Sequence, residues 1–386
     1  MSNSLNKKMV TALFFCLISL YGNAQSGHEI TINLKNCKDT LAYLTYYQFD
    51  KSYVKDTCTN IKGGKIVFKG KDKLDKGVYT LVSQQKSIYF DFFIDDDSQF
   101  LKLKGDIYSY PPEIVAENSD RVNDFFKYIR FLGEQNKTFL ESKQKLAGLS
   151  KADSLTKITS SQKTFEKTIR EYETGFFEKN KGSYLATALN LKIEKVLQDI
   201  PNASNGRPDS LKVYHYYKSH YWDGVDFKDD AIMRNPFFAN KLKKYFESVV
   251  VIHPDSVSVE IDRLMQKTNQ SSLLNKIMLA HFTSTYENSK IMGMEKVFVH
   301  IVDLYFKTGK AVGTYEEETI GKIIKRADLL RPLLSGAPAP DLMMINASDR
   351  DKILKMGFEN AKSSEEITNL FYSNKPELDK LFSNIY

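Results

Sequence analysis

One short stretch of the sequence concentrates residue types that could do chemistry. It holds a histidine, the single tryptophan and four aspartates: His220, Trp222, Asp223, Asp226, Asp229 and Asp230. An imidazole beside several carboxylates can bind a divalent metal or act in acid–base catalysis. The spacing matches no metal-ligand pattern, however, and loops between helices use aspartates of this kind as helix caps. The sequence therefore favours a structural loop. It predicts no catalytic residue, no metal ligand and no cofactor in this chain.

The remaining polar candidates are dispersed or lie in turns. Five further histidines stand far apart in the sequence: His28, His215, His253, His281 and His300. Among them, His300 follows an apolar helical stripe, which indicates a core or boundary histidine with satisfied nitrogens. The run Asp95–Asp97 could bind a cation, but it lacks the EF-hand spacing and predicts a solvated hairpin turn. The sequence also contains no Gly-x-Ser-x-Gly, Walker loop or Gly-x-Gly-x-x-Gly motif of a hydrolase or nucleotide-binding protein.

The N-terminus has the pattern of an export signal. Two lysines precede the uncharged apolar run Met9–Tyr21, and small residues ending in Ala24 precede Gln25. This pattern predicts a signal peptide over residues 1–24, cleaved between Ala24 and Gln25. An uncleaved anchor is the alternative, although the apolar run is shorter than the roughly 20 residues that span a bilayer. We expect a periplasmic or cell-envelope protein without a transmembrane span after cleavage.

Removal of this leader leaves two cysteines, Cys37 and Cys58. In an oxidising compartment they could form a disulfide that closes a loop of about 20 residues. Cys37 falls between two predicted strands and Cys58 just before another, so the two could lie close together. Two separate thiols are the alternative. Neither cysteine belongs to a Cys-x-x-Cys motif, so neither is expected to be a redox catalyst.

Hydrophobic periodicity changes once along the chain. Residues 25–110 alternate apolar and polar positions between Gly- and Asp-containing turns, which predicts an antiparallel β-sandwich. The pair Pro111–Pro112 marks a boundary, and residues 118–334 then follow the helical period of an all-helical array. The formal net charge is +7, with both signs interspersed. This weak, scattered excess argues against a nucleic-acid partner.

Three local patterns define parts of the helical region. The apolar spacing predicts one helix over Ser183–Ile200, and Asn235 followed by Pro236 predicts the start of another. The run Lys241–Lys244 indicates the solvated face of that helix. Further along, Ser363 and a glutamate three residues later form a capping-box pattern at the start of a helix.

The C-terminal part, residues 335–386, carries a family resemblance. Gly336, Ala339, Pro340, Asp341 and Leu342 stand at matching positions of a Gly-x-x-Ala-Pro-x-Leu/Phe motif. This motif resembles the opening strand of exported TlpA-type thioredoxin-like (AhpC/TSA-related) proteins. By that resemblance the chain ends in an incomplete opening segment of a thioredoxin-like domain.

Two earlier regions resemble domains that accompany such proteins. Gly64–Gly70 and Gly77–Leu81 are similar to a small β domain of unknown function, and Tyr217–Asp223, Asn235–Phe237 and His253–Asp255 to a helical one. The resemblance implies a multidomain β-then-α chain, truncated before the redox Cys-x-x-Cys.

The resemblance implies a non-catalytic accessory region of an exported thiol–disulfide oxidoreductase. Its partner would be an unidentified envelope protein or thiol–disulfide partner, which the chain would recognise or position. A free-standing envelope binding or scaffold protein without a redox role is the alternative.

Overall fold

The computed structural model describes residues 27–106, 113–145, 151–195, 197, 199–338 and 343–384. The predicted signal peptide with its cleavage point at Ala24 and Gln25 lies outside these residues, as does Pro111–Pro112. Within them, a β region precedes a long helical region. The predicted order of a β-sandwich followed by helices is therefore confirmed.

Two four-stranded sheets form the β region. The strands are His28–Leu34 (β1), Ala42–Gln48 (β2), Lys51–Cys58 (β3), Lys65–Gly70 (β4), Gly77–Val82 (β5), Ile88–Ile94 (β6), Phe100–Asp106 (β7) and Glu113–Ala116 (β8). The sheet orders are β4-β1-β7-β8 and β3-β2-β5-β6. Neighbouring strands within them are antiparallel, except that β1 pairs with β7 in parallel.

Alternation along the strands builds one core between the sheets. Ile30 and Ile32 of β1, Leu44 of β2 and Phe92 of β6 are fully buried in a single hydrophobic cluster. The turn before β4 requires glycine, because Gly64 has φ +77° and a Cβ there would meet a backbone oxygen at 2.0 Å.

Neither β3 nor β8 was predicted from the sequence. β3 is an edge strand whose residues are almost all exposed, so burial imposes no apolar alternation on it. Cys58 ends this strand instead of preceding one. β8 is a four-residue edge strand beyond the predicted limit at residue 110.

Twelve α-helices follow among the described residues. They are Asp120–Lys145 (α1), Lys151–Lys179 (α2), Tyr184–Asn190 (α3), Ser210–His220 (α4), Phe238–Lys244 (α5), Pro254–Met265 (α6), Leu273–Glu287 (α7), Glu295–Ile301 (α8), Glu317–Leu330 (α9), Arg350–Lys355 (α10), Ser364–Ser373 (α11) and Lys375–Leu381 (α12). The π-helical turns Tyr245–Val249 and Val302–Phe306 continue α5 and α8. None of the described helices has the length and apolarity needed to cross a membrane.

The predicted helix over Ser183–Ile200 is wrong in its C-terminal half. Helix α3 is capped by the Ser183 hydroxyl, which accepts the Ala186 N–H at 3.2 Å, but it ends at Asn190. The Asn190 amide donates at 2.9 Å to the Asp223 carbonyl, a contact 33 residues away. This tertiary hydrogen bond favours a turn where local propensity alone favours helix.

The predicted capping role of Asn235 at the start of α5 is confirmed. Asn235 is fully buried, and its Oδ1 accepts the N–H groups of Phe237 at 2.9 Å and Phe238 at 3.2 Å. Its Nδ2 donates to the Ile232 carbonyl at 2.6 Å. The helix begins at Phe238, two residues after Pro236.

The C-terminal part contains a small sheet and short helices. Two further strands, Met343–Ile345 (β9) and Phe382–Asn384 (β10), pair antiparallel. The Ser363 hydroxyl accepts the Glu366 N–H at 3.1 Å, so the predicted cap is confirmed. Ala339–Leu342 of the resemblance lie outside the described residues.

Contacts divide the chain into two compact units. The first runs to Ile252 and includes Arg263–Ile277, and the second comprises His253–Asp262 and the chain from Met278 onward. The β region and α1–α5 thus belong to the first unit. We describe each unit by itself below.

Candidate functional site

His220, the most conspicuous candidate, takes part in a local structure. Its ring stacks on Tyr216 with centroids 4.0 Å apart. Its Nδ1 lies 2.9 Å from both the Ser219 hydroxyl and the Tyr216 carbonyl. The histidine therefore ends α4 with its Nδ1 engaged by residues of the same helix.

The neighbouring aspartates cap turns and helices. Asp229 accepts the Ala231 N–H at 2.9 Å, and Asp226 accepts the Lys228 N–H at 2.9 Å. Asp230 accepts the Leu274 N–H at 3.0 Å, at the start of α7. No group of three or more His, Cys, Asp or Glu among the described residues could hold a metal. The prediction of a structural loop is confirmed.

The run Asp95–Asp97 is not a hairpin turn, and that prediction is wrong. It connects β6 to β7, which lie in different sheets. Asp95 is only 5% exposed and accepts from the Arg121 guanidinium at 2.6 Å and from the Ser98 hydroxyl at 2.8 Å. The buried carboxylate thus serves the packing of α1 on the β region.

The structure also shows the surroundings of the two cysteines and of His300. Cys37 and Cys58 are half-buried free thiols in the structure, and their pairing stays a prediction. His300, in the second unit, has its Nε2 2.9 Å from the Asp262 carboxylate, which also accepts the Tyr305 hydroxyl at 2.8 Å. The prediction of a satisfied boundary histidine is confirmed.

A pocket that the sequence did not predict lies beside α5 in the first unit. It encloses about 270 Å³. Three of its lining residues are lysines, two are aromatic, and the full lining is Leu191, Lys192, Glu194, Tyr221, Phe237, Asn240, Lys241 and Lys244. We call it the lysine pocket.

Lys241 is buried, so its assignment to a solvated face is wrong. The residue is 8% exposed, whereas Lys243 and Lys244 on the same helix are exposed. It stands three residues after Phe238 and four before Tyr245, both fully buried, and therefore on the apolar stripe of α5. This spacing was the available sequence signal. The three-lysine composition of the run concealed it.

The Lys241 ammonium is surrounded by aromatic rings. Its Nζ lies 4.6 Å from the centroid of Tyr221 and 5.9 Å from that of Trp222, and it donates to the Ile193 carbonyl at 3.3 Å. Burial lowers the pKa of Lys241 to about 8, while the nearby Glu194 carboxylate acts in the opposite direction. The ring faces favour the cation and offset part of the cost of burying it.

Lys192 reaches the same pocket from the segment after α3. Its Nζ lies 5.3 Å from the ring centroid of Phe237 and 5.9 Å from that of Tyr128. Loss of hydration lowers the pKa of Lys192 below the usual lysine value. Because its position depends on the early end of α3, the sequence held no signal for it.

The only carboxylate that lines the pocket is already engaged. Glu194 forms an ion pair with Lys244, and this contact raises the pKa of Lys244. No described carboxylate lies within ion-pair distance of the Lys192 or Lys241 ammonium. The carboxylates that act on the Lys192 and Lys241 ammonium groups of the lysine pocket, Glu173 and Glu194, therefore lie beyond ion-pair distance. An anion would supply the missing charge, because poorly solvated charges are stable only when they are paired.

The single tryptophan, Trp222, lies beside Lys241 of this pocket. Trp222 is buried against Phe227, Phe238 and Tyr245, and Lys241 lies over its ring. Its indole N–H has no hydrogen-bond partner among the described residues. A change of charge at Lys241 takes place next to the only indole of the chain.

Comparison with known proteins covers the helical region. Residues 150–328 match the model of a family described as Domain of unknown function (DUF5106). All residues that line the lysine pocket fall within the matched segment. No curated protein matches the chain. This segment is thus similar to a domain of unknown function.

Proposed function

We propose that the chain is a non-catalytic binding module of the cell envelope. In this proposal the lysine pocket holds an anionic group of the partner or substrate between Lys192 and Lys241. The observation that carries it is the pair of ammonium groups set against aromatic rings, neither of which has a carboxylate within ion-pair distance among the described residues. The aromatic rings offset only part of the cost of burying the Lys241 ammonium, and a bound carboxylate would supply a counterion to it.

A carboxylate probe tests this proposal directly. Sodium acetate is titrated into the protein at constant ionic strength, and Trp222 fluorescence is followed. We expect a saturable response at pH 7 that weakens above pH 8, because Lys241 loses its proton there. Lys241→Met should abolish the response. Lys243→Met is the matched control, since Lys243 lies two residues further along the same helix and is exposed. An equal response from Lys241→Met and the parent protein would refute the anion site.

We further propose that this module is the accessory region of an exported thioredoxin-like oxidoreductase. The similarity of Gly336–Leu342 to the opening strand of that domain supports the assignment, together with the export pattern of residues 1–24. A free-standing binding protein of the envelope is the second candidate. It is favoured by the cluster of binding features in the first unit, which require no redox domain.

The native protein distinguishes these two candidates. Its intact mass is measured in periplasmic and whole-envelope fractions. A mass larger than 44.3 kDa by a further domain of about a hundred residues supports the accessory region. A mass that is lower than 44.3 kDa by the mass of the signal peptide supports the free-standing protein. Recovery in the cytoplasm with an intact leader would contradict both.

A further inference from the structure

An apolar cavity of about 220 Å³ lies in the first unit, next to the lysine pocket. It is enclosed by β5 and β6 of one sheet, by β8 of the other, and by α1, α3 and the segment before α5. Its lining is mostly aliphatic and aromatic: Val78, Tyr89, Phe90, Asp91, Phe93, Ile114, Phe125, Phe126, Ile129, Arg130, Leu185, Ala188, Leu189, Pro236 and Phe237.

Phe237 borders both spaces. It lines the apolar cavity together with Leu189 and Pro236, and it lines the lysine pocket together with Leu191 and Asn240. Residues of the two linings are therefore close in the sequence: Leu189 and Leu191 in one segment, and Pro236 and Asn240 in the other. Phe237 is half-buried, and the Lys192 ammonium lies 5.3 Å from its centroid. Phe237 is thus the residue that the two linings share.

Three polar side chains line the cavity and all are engaged: Asp91, Arg130 and Tyr89, whose hydroxyl donates to the Asp39 carboxylate at 2.7 Å. Asp91 accepts the Thr80 hydroxyl at 2.6 Å, and burial raises its pKa, which favours the uncharged carboxyl. Arg130 donates to the Ile114 carbonyl at 3.2 Å. The rest of the lining is aliphatic and aromatic, so the interior suits an apolar group.

We infer that the lysine pocket and the apolar cavity form one binding site for a monocarboxylic acid with an apolar tail. The carboxylate lies between Lys192 and Lys241, and the tail passes Phe237 into the cavity. This inference rests on the proposed anion site and names its ligand class. A cavity of about 150 Å³ lined by apolar residues holds benzene, so this larger one accommodates a tail on the order of six to eight carbon atoms.

A series of straight-chain acids tests the inference on the unmodified protein. Acetate, butyrate, hexanoate and octanoate are titrated at pH 7, with Trp222 fluorescence and calorimetry as readouts. Burial of each methylene should tighten binding about fourfold until the tail fills the cavity. Dodecanoate should bind no more tightly than octanoate. Octan-1-ol, which has the tail without the charge, should bind at least tenfold more weakly than octanoate.

Two variants separate the head and the tail of the site. Lys241→Met should weaken binding of every acid. Ala188→Leu, which fills the cavity from α3, should weaken octanoate at least tenfold and leave acetate unchanged. Acetate binding in that variant also shows that it is folded.

The outcomes distinguish the inference from the proposal beneath it. If acetate binds in a Lys241-dependent way but affinity does not grow with tail length, the joint site is refuted and the anion site stands. If Ala188→Leu leaves octanoate binding unchanged, the tail lies elsewhere and the joint site is likewise refuted. If no acid binds, both ideas fail.

Discussion

At the scale of the residue, the informative groups are charges whose surroundings do not match their type. Lys241 lies on an apolar stripe, Asp95 is buried beneath an arginine, and His300 is held by a carboxylate. The sequence identified the histidine correctly, because a helical stripe makes its position visible. It could not place Lys192 beside the pocket aromatics, because that depends on where a neighbouring helix ends.

The proton of Lys241 should be visible through Trp222. The ammonium lies 5.9 Å from the indole centroid, so loss of its proton changes the electric field at the ring. We expect the fluorescence of the ligand-free protein to titrate with a midpoint near pH 8, because burial lowers the pKa of Lys241 to about 8. Lys241→Met should remove this transition, while Lys243→Met keeps it. A transition retained in Lys241→Met would assign it to another group.

The same group should affect stability with a defined sign. The pKa of Lys241 in the folded state lies below its ordinary value of 10.5, so the unfolded chain binds more protons between these values. The free energy of unfolding should therefore rise between about pH 8 and pH 10.5. At pH 7 Lys241→Met should stabilise the protein by about 1–3 kcal/mol, since it removes a buried charge. Urea unfolding of the parent protein at pH 8 and pH 10.5, and of both proteins at pH 7, measures these two effects. A Lys241→Met variant that is destabilised at pH 7 would contradict the prediction.

His300 should show the opposite dependence in the second unit. The Asp262 carboxylate raises the pKa of His300 above its ordinary value of 6.5, with smaller contributions from Asp303 and Asp255. This contribution is fully present below pH 6.5 and is lost as pH rises through the raised pKa. Because the ring is partly exposed, we expect about 1 kcal/mol or less. His300→Gln should flatten the difference in unfolding free energy between pH 5.5 and pH 8.5, and an unchanged slope would exclude this pair.

At the scale of the element, a single asparagine organises the start of α5. Asn235→Ala should lower the free energy of unfolding by about 2 kcal/mol, because it leaves two buried N–H groups and one carbonyl without their partner. Asn136→Ala is the matched control at an exposed position of α1 and should be neutral. Chemical denaturation measures both. An equally small effect at Asn235 would mean that water replaces its side chain.

The elements also show where sequence patterns are sufficient. Strands with one buried face, such as β1 and β6, were predicted from alternation, and Asn235 and Ser363 were recognised as caps, because these signals are local. The edge strand β3 carries no alternation because it faces solvent, and β8 alternates over only four residues. The end of α3 depends on a hydrogen bond to Asp223, which no local window contains. The position of Lys192 therefore required the tertiary structure, whereas the apolar stripe of α5 was a sequence signal for Lys241.

At the scale of the whole molecule, the β region shares its hydrophobic core with helices. The hydrophobic cluster that contains Ile30 and Phe92 continues through Phe126 of α1 and Leu185 of α3. Phe126 packs edge-on against Phe90 of β6, with centroids 6.1 Å apart. The predicted domain limit at residue 110 thus falls inside a shared core, although periodicity changes there. Secondary-structure type and folding unit need not share a boundary.

This continuity leads to a prediction about fragments of the chain. A fragment of residues 25–110 lacks β8 and the helices that cover β6, so it would expose Phe90, Phe93 and their neighbours to water. We expect it to aggregate or to melt without cooperativity. A fragment of residues 25–277, which retains the first unit, should melt cooperatively and keep the lysine-dependent acetate response. Circular dichroism melts of the two fragments decide the matter. A cooperative melt of 25–110 near the midpoint of the longer fragment would show instead that the sandwich folds alone and that the helices only dock on it.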